Sequence, residues 1–313
     1  MVPNLKSSRL IGRHTGAQRG PLLICFGALH GNEPAGVRAL ETLFKMLQDE
    51  PTKNPTFQFK GRIVGFIGNL QAYQNNVRYI QKDLNRQFHG VWRADSITDL
   101  TKVQDEAEKV ELHELLQAVH TEIADYQPDH LYILDLHTTS ADGGIFSIPS
   151  TDQESLTMAT DLHAPVVKGL MNGVTGTTLH YFNTQNMGVP TVAVTFEGGQ
   201  HNDPQSIQRC IAVIVNCLRA IGSVRPTDVE SKHDDILKAY ATGLPKVVEL
   251  IHCHHIQPND HFQMRPNYQN FQKVKKGEIL ATDKNGNILA SQSAMILMPL
   301  YQPKGEDGFF LVE

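Results

Sequence analysis

Four short apolar runs alternate with segments of helical period, and this alternation constrains the fold more than any other feature of the chain. Leu22 to Leu29, Gly61 to Ile67, Leu131 to Leu136 and Pro190 to Phe196 read as strands. Ile63, Val64, Phe66 and Ile67 are nearly continuous, as expected where both faces of a sheet are covered. Between the runs, Pro34 to Leu47 carries Val37, Leu40, Phe44 and Leu47 at helical spacing. Asp95 to Tyr126 does the same with Val103, Ala107, Val110, Leu115, Val119 and Ile123, its acidic residues reading as a solvated face. Pro204 to Ile221 is amphipathic. This order predicts an α/β fold, a mostly parallel mixed sheet with helices on both faces.

Weaker elements fill the gaps. The prolines between Asp49 and Pro55 end the first helix, and Ile145 to Ile148 is a short strand. Asp152 to Met171 reads as a helix kinked at Pro165, and Thr177 to Phe182 as a strand. Met1 to Gly20, with Arg9, Arg13 and Arg19, reads as a solvated arm without the apolar run of a signal peptide. The character changes at Gly222. Ser223 to Asp235 looks like a linker, Lys246 to Ile256 like a strand, and turn signals such as Asn285-Gly286 recur after it. The expected domains are therefore residues 1–229, α/β, and 230–313, a small all-β unit.

A net charge of −5 argues against nucleic acid or an anionic membrane as the main partner. No apolar run approaches the roughly 20 residues that span a bilayer. Cys25, Cys210, Cys217 and Cys253 form no CxxC pair and read as buried thiols in a reducing, cytoplasmic setting. Homo-oligomerisation is left open.

The chemistry lies at the strand ends. His30 and Glu33 follow the first strand, His137 follows the third, and Glu197 closes the fourth. If those strands are parallel, all four side chains reach one sheet edge, where α/β proteins bind ligands. A His at a strand end is more often structural, and HxxE alone is weak. The repeated pattern of strand and then ligand favours one catalytic zinc ion per chain, held by His30, Glu33 and His137. Glu197 is then a carboxylate beside the ion, suited to proton transfer.

The segments around these residues occur in the order found in one family. Gly27-Ala28-Leu29-His30-Gly31-Asn32-Glu33, the loop Arg78 to Arg86, Asp135 to Ser140, and Thr195 to Gly199 resemble the succinylglutamate desuccinylase/aspartoacylase group, within the zinc carboxypeptidase-like superfamily. The resemblance implies zinc on His30, Glu33 and His137, and Glu197 as general base and acid. It implies that Arg78 stabilises the oxyanion, and that Asn85 and Arg86 bind a carboxylate of a small N-acyl amino acid. For Arg86 the plainer alternative is an ion pair with Asp83. Asp135 shares a strand face with His137 and either orients it or makes a structural hydrogen bond. Two features depart from the family: Asn183 to Gly188 lacks the Arg that precedes the catalytic Glu, and Tyr301 has no sure counterpart. His252 to His255 reads as packing and surface rather than a second metal site, and Trp92 has no assigned role. Rival readings are a metallocarboxypeptidase for short peptides and a catalytically silent binder of a small ligand or metal.

Overall fold

The computed structural model describes residues 8–89 and 106–313. Its centre is β2 (Gln18–Gly27), flanked by two parallel neighbours, β3 (Lys60–Ile67) and β4 (Leu131–Thr139). The residues of β2 alternate between two cores, as period-two geometry requires. Leu22, Ile24 and Phe26 face one core, while Leu23 and Cys25 face the other. On the first side lies α3 (Ala107–Tyr126), with Leu112, Leu115 and Val119 buried. On the second lie α1 (Ala35–Lys53), α4 (Gln153–Asp161) and α7 (Gln205–Ala220).

The full order of the main sheet is β1-β3-β2-β4-β7-β5-β6-β8-β14-β13-β10. Here β1 is Leu10–Thr15, β5 Phe146–Pro149, β6 Val166–Lys168, β7 Thr191–Gln200 and β8 Val247–His255. Farther along the chain are β10 (Gln272–Val274), β13 (Ala294–Leu297) and β14 (Asp307–Val312). The pairs around β2, β4 and β7 are parallel; β1, β5 against β7, and the strands beyond β8 are antiparallel. A second sheet holds β9 (Gln263–Met264), β11 (Ile279–Asp283) and β12 (Gly286–Leu289), all antiparallel. Among the described residues no helix is long and apolar enough to cross a membrane.

Several local expectations change. Residues 1–7 of the expected arm lie outside the described residues, and the rest is no free arm: β1 pairs with β3, and buried Arg9 donates to the carbonyls of Ile67 and Gly68 and to Glu111. Helix α1 runs through Pro51 to Lys53, because a proline in the last turn removes a single N–H and the bond from Asn54 N to Glu50 O still closes that turn. The segment 152–171 splits at Pro165 into α4 and β6. Residues 223–235 are no open linker: Ser223 and Val224 are buried, Val224 bridges to Phe59, and α8 (Lys232–Tyr240) begins there and packs on α7. The other α-helices among the described residues are short: α2 (Leu70–Gln74), α5 (Thr178–Tyr181) and α6 (Thr184–Met187). Of these, α5 replaces the expected strand at 177–182. Thr177 caps it, its side chain taking the backbone of His180 while the His180 ring takes the Thr177 N–H.

The acidic face of α3 is solvated only in part, with Glu114 and Asp125 exposed. Glu108, Glu111 and Glu122 are buried. They lie against segments whose backbone N–H groups or arginines have no ladder partner, and a buried N–H must find an acceptor. Glu111 accepts from Leu70 N and Gln71 N; Glu122 takes Arg13 and Arg62. The segment 95–105 of the expected helix lies outside the described residues, as does Trp92. Cys25, Cys210 and Cys217 are buried and Cys253 is half-buried, and all four are free.

Candidate active site

Strand register brings the site together. Gly27 of β2 pairs with Leu136 of β4, and His137 of β4 pairs with Glu197 of β7. The three carboxyl ends therefore share one edge. Just past β2, Ala28 takes a left-handed φ of 54°, and Glu33 N bonds to His30 O at 3.0 Å, so the chain turns sharply before α1. Gly31 is required in this turn: a Cβ would stand 2.1 Å from the Ala72 carbonyl carbon. Its N–H donates to Arg78 O at 3.1 Å, tying the turn to the next loop.

His30, Glu33 and His137 each offer one ligand atom within 4.8 Å of the others. His30 Nδ1 is 2.9 Å from Glu33 Oε1, and His137 Nδ1 is 3.2 Å from Glu33 Oε2. Thr138 N also donates to Glu33 Oε2, at 2.9 Å, and fixes that carboxylate. The opposite nitrogen of each ring faces a second carboxylate. His30 Nε2 is 3.0 Å from Asp83 Oδ1, and His137 Nε2 is 3.1 Å from Asp135 Oδ2. Carboxylates behind imidazoles in this way are the usual support of metal-ligating histidines. Two imidazoles and one carboxylate, all buried, are a donor set that fits zinc with an open position. The Glu33 carboxyl, which burial alone would raise, is held well below the ordinary range by His30 and His137.

Glu197 sits beside this cluster. Its Oε2 is buried without a hydrogen-bond partner. Burial pushes its carboxyl up to about 8, against the pull of His137 and with help from Glu33 and Asp135. Arg78 reaches the cluster from the loop, with Nη1 3.4 Å from Glu33 Oε1. Its guanidinium also donates to Asp83 Oδ2, through Nε at 3.2 Å and Nη2 at 2.9 Å. Asp83 thus positions both His30 and Arg78. Burial opposes its charge, but His30, Arg78 and Arg86 hold its carboxyl well below the ordinary range. Asn85 accepts from Thr178 N at 3.0 Å, and Thr178 Oγ1 donates to Asp135 at 2.7 Å, so the capped start of α5 links the loop to β4.

All seven residues singled out from the sequence, His30, Glu33, His137, Glu197, Arg78, Asn85 and Arg86, line one pocket. Asp135 stands behind His137 and hydrogen-bonds Thr178. Arg86 pairs with Asp307, at 2.5 Å, rather than making a surface pair with Asp83. Tyr301 turns away, donating to Arg265 O and accepting from Tyr268 N. His254 stacks on Phe309 with 5.1 Å between ring centroids, while His255 Nδ1 lies 2.7 Å from Asp307. Three residues were missed: Asp83, Asp307 and Glu108. Asp83 was in plain view between Arg78 and Arg86. Glu108 gave no signal, since it reads as one more acid on an acidic helix, yet it accepts the backbone N–H groups of Ile80, Gln81 and Lys82.

Comparison with known proteins gives the family and the fold. Residues 19–221 match the model of the succinylglutamate desuccinylase/aspartoacylase catalytic domain. The chain belongs to that family. Its fold is shared with a succinylglutamate desuccinylase/aspartoacylase from Rhodobacter sphaeroides, 17% identical, covering 95% of this chain and 86% of that one, with a TM-score of 0.64. It is shared also with the ectoine utilization protein EutE (DoeB) from Ruegeria pomeroyi, 18% identical, covering 96% and 86%, TM-score 0.62. A succinylglutamate desuccinylase from Chromobacterium violaceum is 18% identical, covers 99% and 95%, and superposes with a TM-score of 0.61. Family membership supports a deacylase-type activity for the chain.

Proposed function

We propose that the protein is a zinc-dependent amidohydrolase that releases the acyl group from a small N-acyl amino acid. The observation that carries this reading is the meeting of His30, Glu33 and His137 with Glu197 and Arg78 in one pocket. When bound, zinc lowers the pKa of a water toward about 7 and polarises a carbonyl. Glu197 is the general base: its unpartnered oxygen accepts the proton of the attacking water and returns it to the leaving nitrogen. The water oxygen joins the acyl carbon, the C–N bond breaks, and an acid and a free amino acid leave. Arg78 donates to the carbonyl oxygen as negative charge builds there, and Asp83 keeps the guanidinium aimed before the reaction starts. Asn85 and the guanidinium of Arg86, which shares its charge with Asp307, hold the single substrate carboxylate.

The division at residues 229 and 230 is part of the same proposal. Apart from α8, the second unit is β structure, and it carries Gln302, Gly305, Glu306 and Asp307 to the pocket wall. Its position there favours small substrates over proteins.

The test is hydrolysis of N-acetyl and N-succinyl amino acids and of dipeptides by zinc-loaded protein, beside Glu197→Gln. The wild type should cleave an N-acyl amino acid, and the variant should keep its zinc and lose about 10²–10⁴-fold in rate. Zinc content with no hydrolysis across the panel, or near-normal turnover by the variant, contradicts the proposal.

A further inference from the structure

Each guanidinium group of the pocket already has a carboxylate partner within the protein. Arg78 and Arg86 are its two guanidinium groups among the described residues. Arg78 is held by Asp83 and Glu33. Arg86 Nη2 is held by Asp307 Oδ2 at 2.5 Å. Asp307 is fixed from behind as well: its Oδ1 lies 2.7 Å from His255 Nδ1 and 3.7 Å from Cys253 Sγ. The pairing with Arg86 is therefore anchored at both carboxylate oxygens. Glu306 lines the same wall, and burial, with Asp83 and Asp307 close by, pushes its carboxyl up.

Part of the remaining lining is polar, with Thr138, Thr139, Ser140, Thr177, Thr195 and Gln302, and one wall is apolar. Ile148, Leu170, Met171, Val174, Leu179 and Phe310 all line the pocket and belong to one hydrophobic core. An aliphatic or aromatic group laid on this wall is favoured by the burial of its apolar surface. A second carboxylate placed against this wall would be desolvated with neither guanidinium unpaired to meet it. Near Arg86 it would have to compete with Asp307 and face Glu306. Sites discriminate by such unfavourable pairings as much as by attraction.

We infer that the substrate carries one carboxylate and one apolar substituent, and that Asp307 sets the site against dicarboxylic N-acyl amino acids. This rests on the deacylase reading. The apolar substituent belongs either to the amino-acid side chain or to the acyl group, and the panel separates the two.

The experiment measures kcat/KM of the zinc-loaded enzyme for N-acetyl-leucine, N-acetyl-methionine and N-hexanoyl-glycine against N-acetyl-aspartate and N-succinyl-glutamate. At least one apolar compound should exceed both dicarboxylates by 10-fold or more. Preference for leucine and methionine places the apolar group on the side chain; preference for hexanoyl-glycine places it on the acyl group. Asp307→Asn frees Arg86 and should raise kcat/KM for N-acetyl-aspartate about 10-fold, mainly through KM. Dicarboxylates cleaved as well as or better than the apolar compounds overturn the inference and leave the deacylase reading standing. An Asp307→Asn variant with an unchanged ratio removes Asp307 as its cause. If nothing on the panel is cleaved, the deacylase reading falls. Calorimetric binding of the same compounds to zinc-loaded Glu197→Gln then decides the inference separately, with tighter dicarboxylate binding overturning it.

Discussion

Glu108→Gln tests whether the loop from Arg78 to Arg86 is held from behind by a buried charge. Glu108 Oε1 accepts from Ile80 N at 2.6 Å and Asn69 Nδ2 at 3.3 Å. Its Oε2 accepts from Gln81 N at 3.0 Å and Lys82 N at 3.1 Å. A glutamine keeps one oxygen and turns an NH₂ toward the other pair of donors. Either orientation removes two hydrogen bonds to a charged acceptor, each worth about 1.5–3 kcal/mol. The backbone donors are only partly buried and regain water when the loop opens, so the lower end applies, about 3 kcal/mol in all. Loop opening should then rise about 10²-fold. Hydrogen exchange read at the amides of Ile80, Gln81 and Lys82 should show that loss of protection, while far-UV circular dichroism stays that of the wild type. Because Arg78 and Arg86 flank these amides, kcat/KM should fall as well. Protection of residues 80–82 within about threefold of wild type would mean that the Glu108 charge does not hold the loop, since losing about 3 kcal/mol corresponds to about 10²-fold.

Asp83→Asn removes the carboxylate behind His30 Nε2 and should weaken zinc affinity by about 10–100-fold, measured by competition with a chelating dye; affinity equal to wild type argues against that support. Cys25, Cys210 and Cys217 are fully buried and burial pushes their thiols up, whereas Cys253 is partly accessible. A thiol reagent should therefore label at most one cysteine in the native protein and four after denaturation; rapid native labelling of more than one contradicts the packing of α7 on the sheet.

The strand ends and their chemistry were legible because they are local in sequence. An apolar run followed at once by His30 and Glu33, by His137, or by Glu197 fixes both the element and the residue that leaves it. Parallel pairing then brings those ends together, as the register of Leu136 with Gly27 and of His137 with Glu197 requires. The missed features depend on contacts distant in sequence. The N-terminal residues look like an arm until β3 supplies an edge for β1 and Glu111 a partner for Arg9. The α5 segment looks extended because its cap uses His180 where a Glu or Gln is the usual signal. Asp307 meets Arg86 only because β14 pairs with β8, which continues the main sheet through β6. No local pattern announces such a pairing.

The proposed chemistry needs one zinc ion on His30, Glu33 and His137. The direct measurement strips the protein with a chelator and titrates zinc back while following hydrolysis of the best N-acyl amino acid and the metal bound. Activity should be absent in the stripped protein, rise linearly, and level at one zinc per chain, with His137→Ala binding no zinc and gaining no activity. Full activity in the metal-free protein, or a His137→Ala variant that binds zinc and is restored like wild type, would contradict the claim.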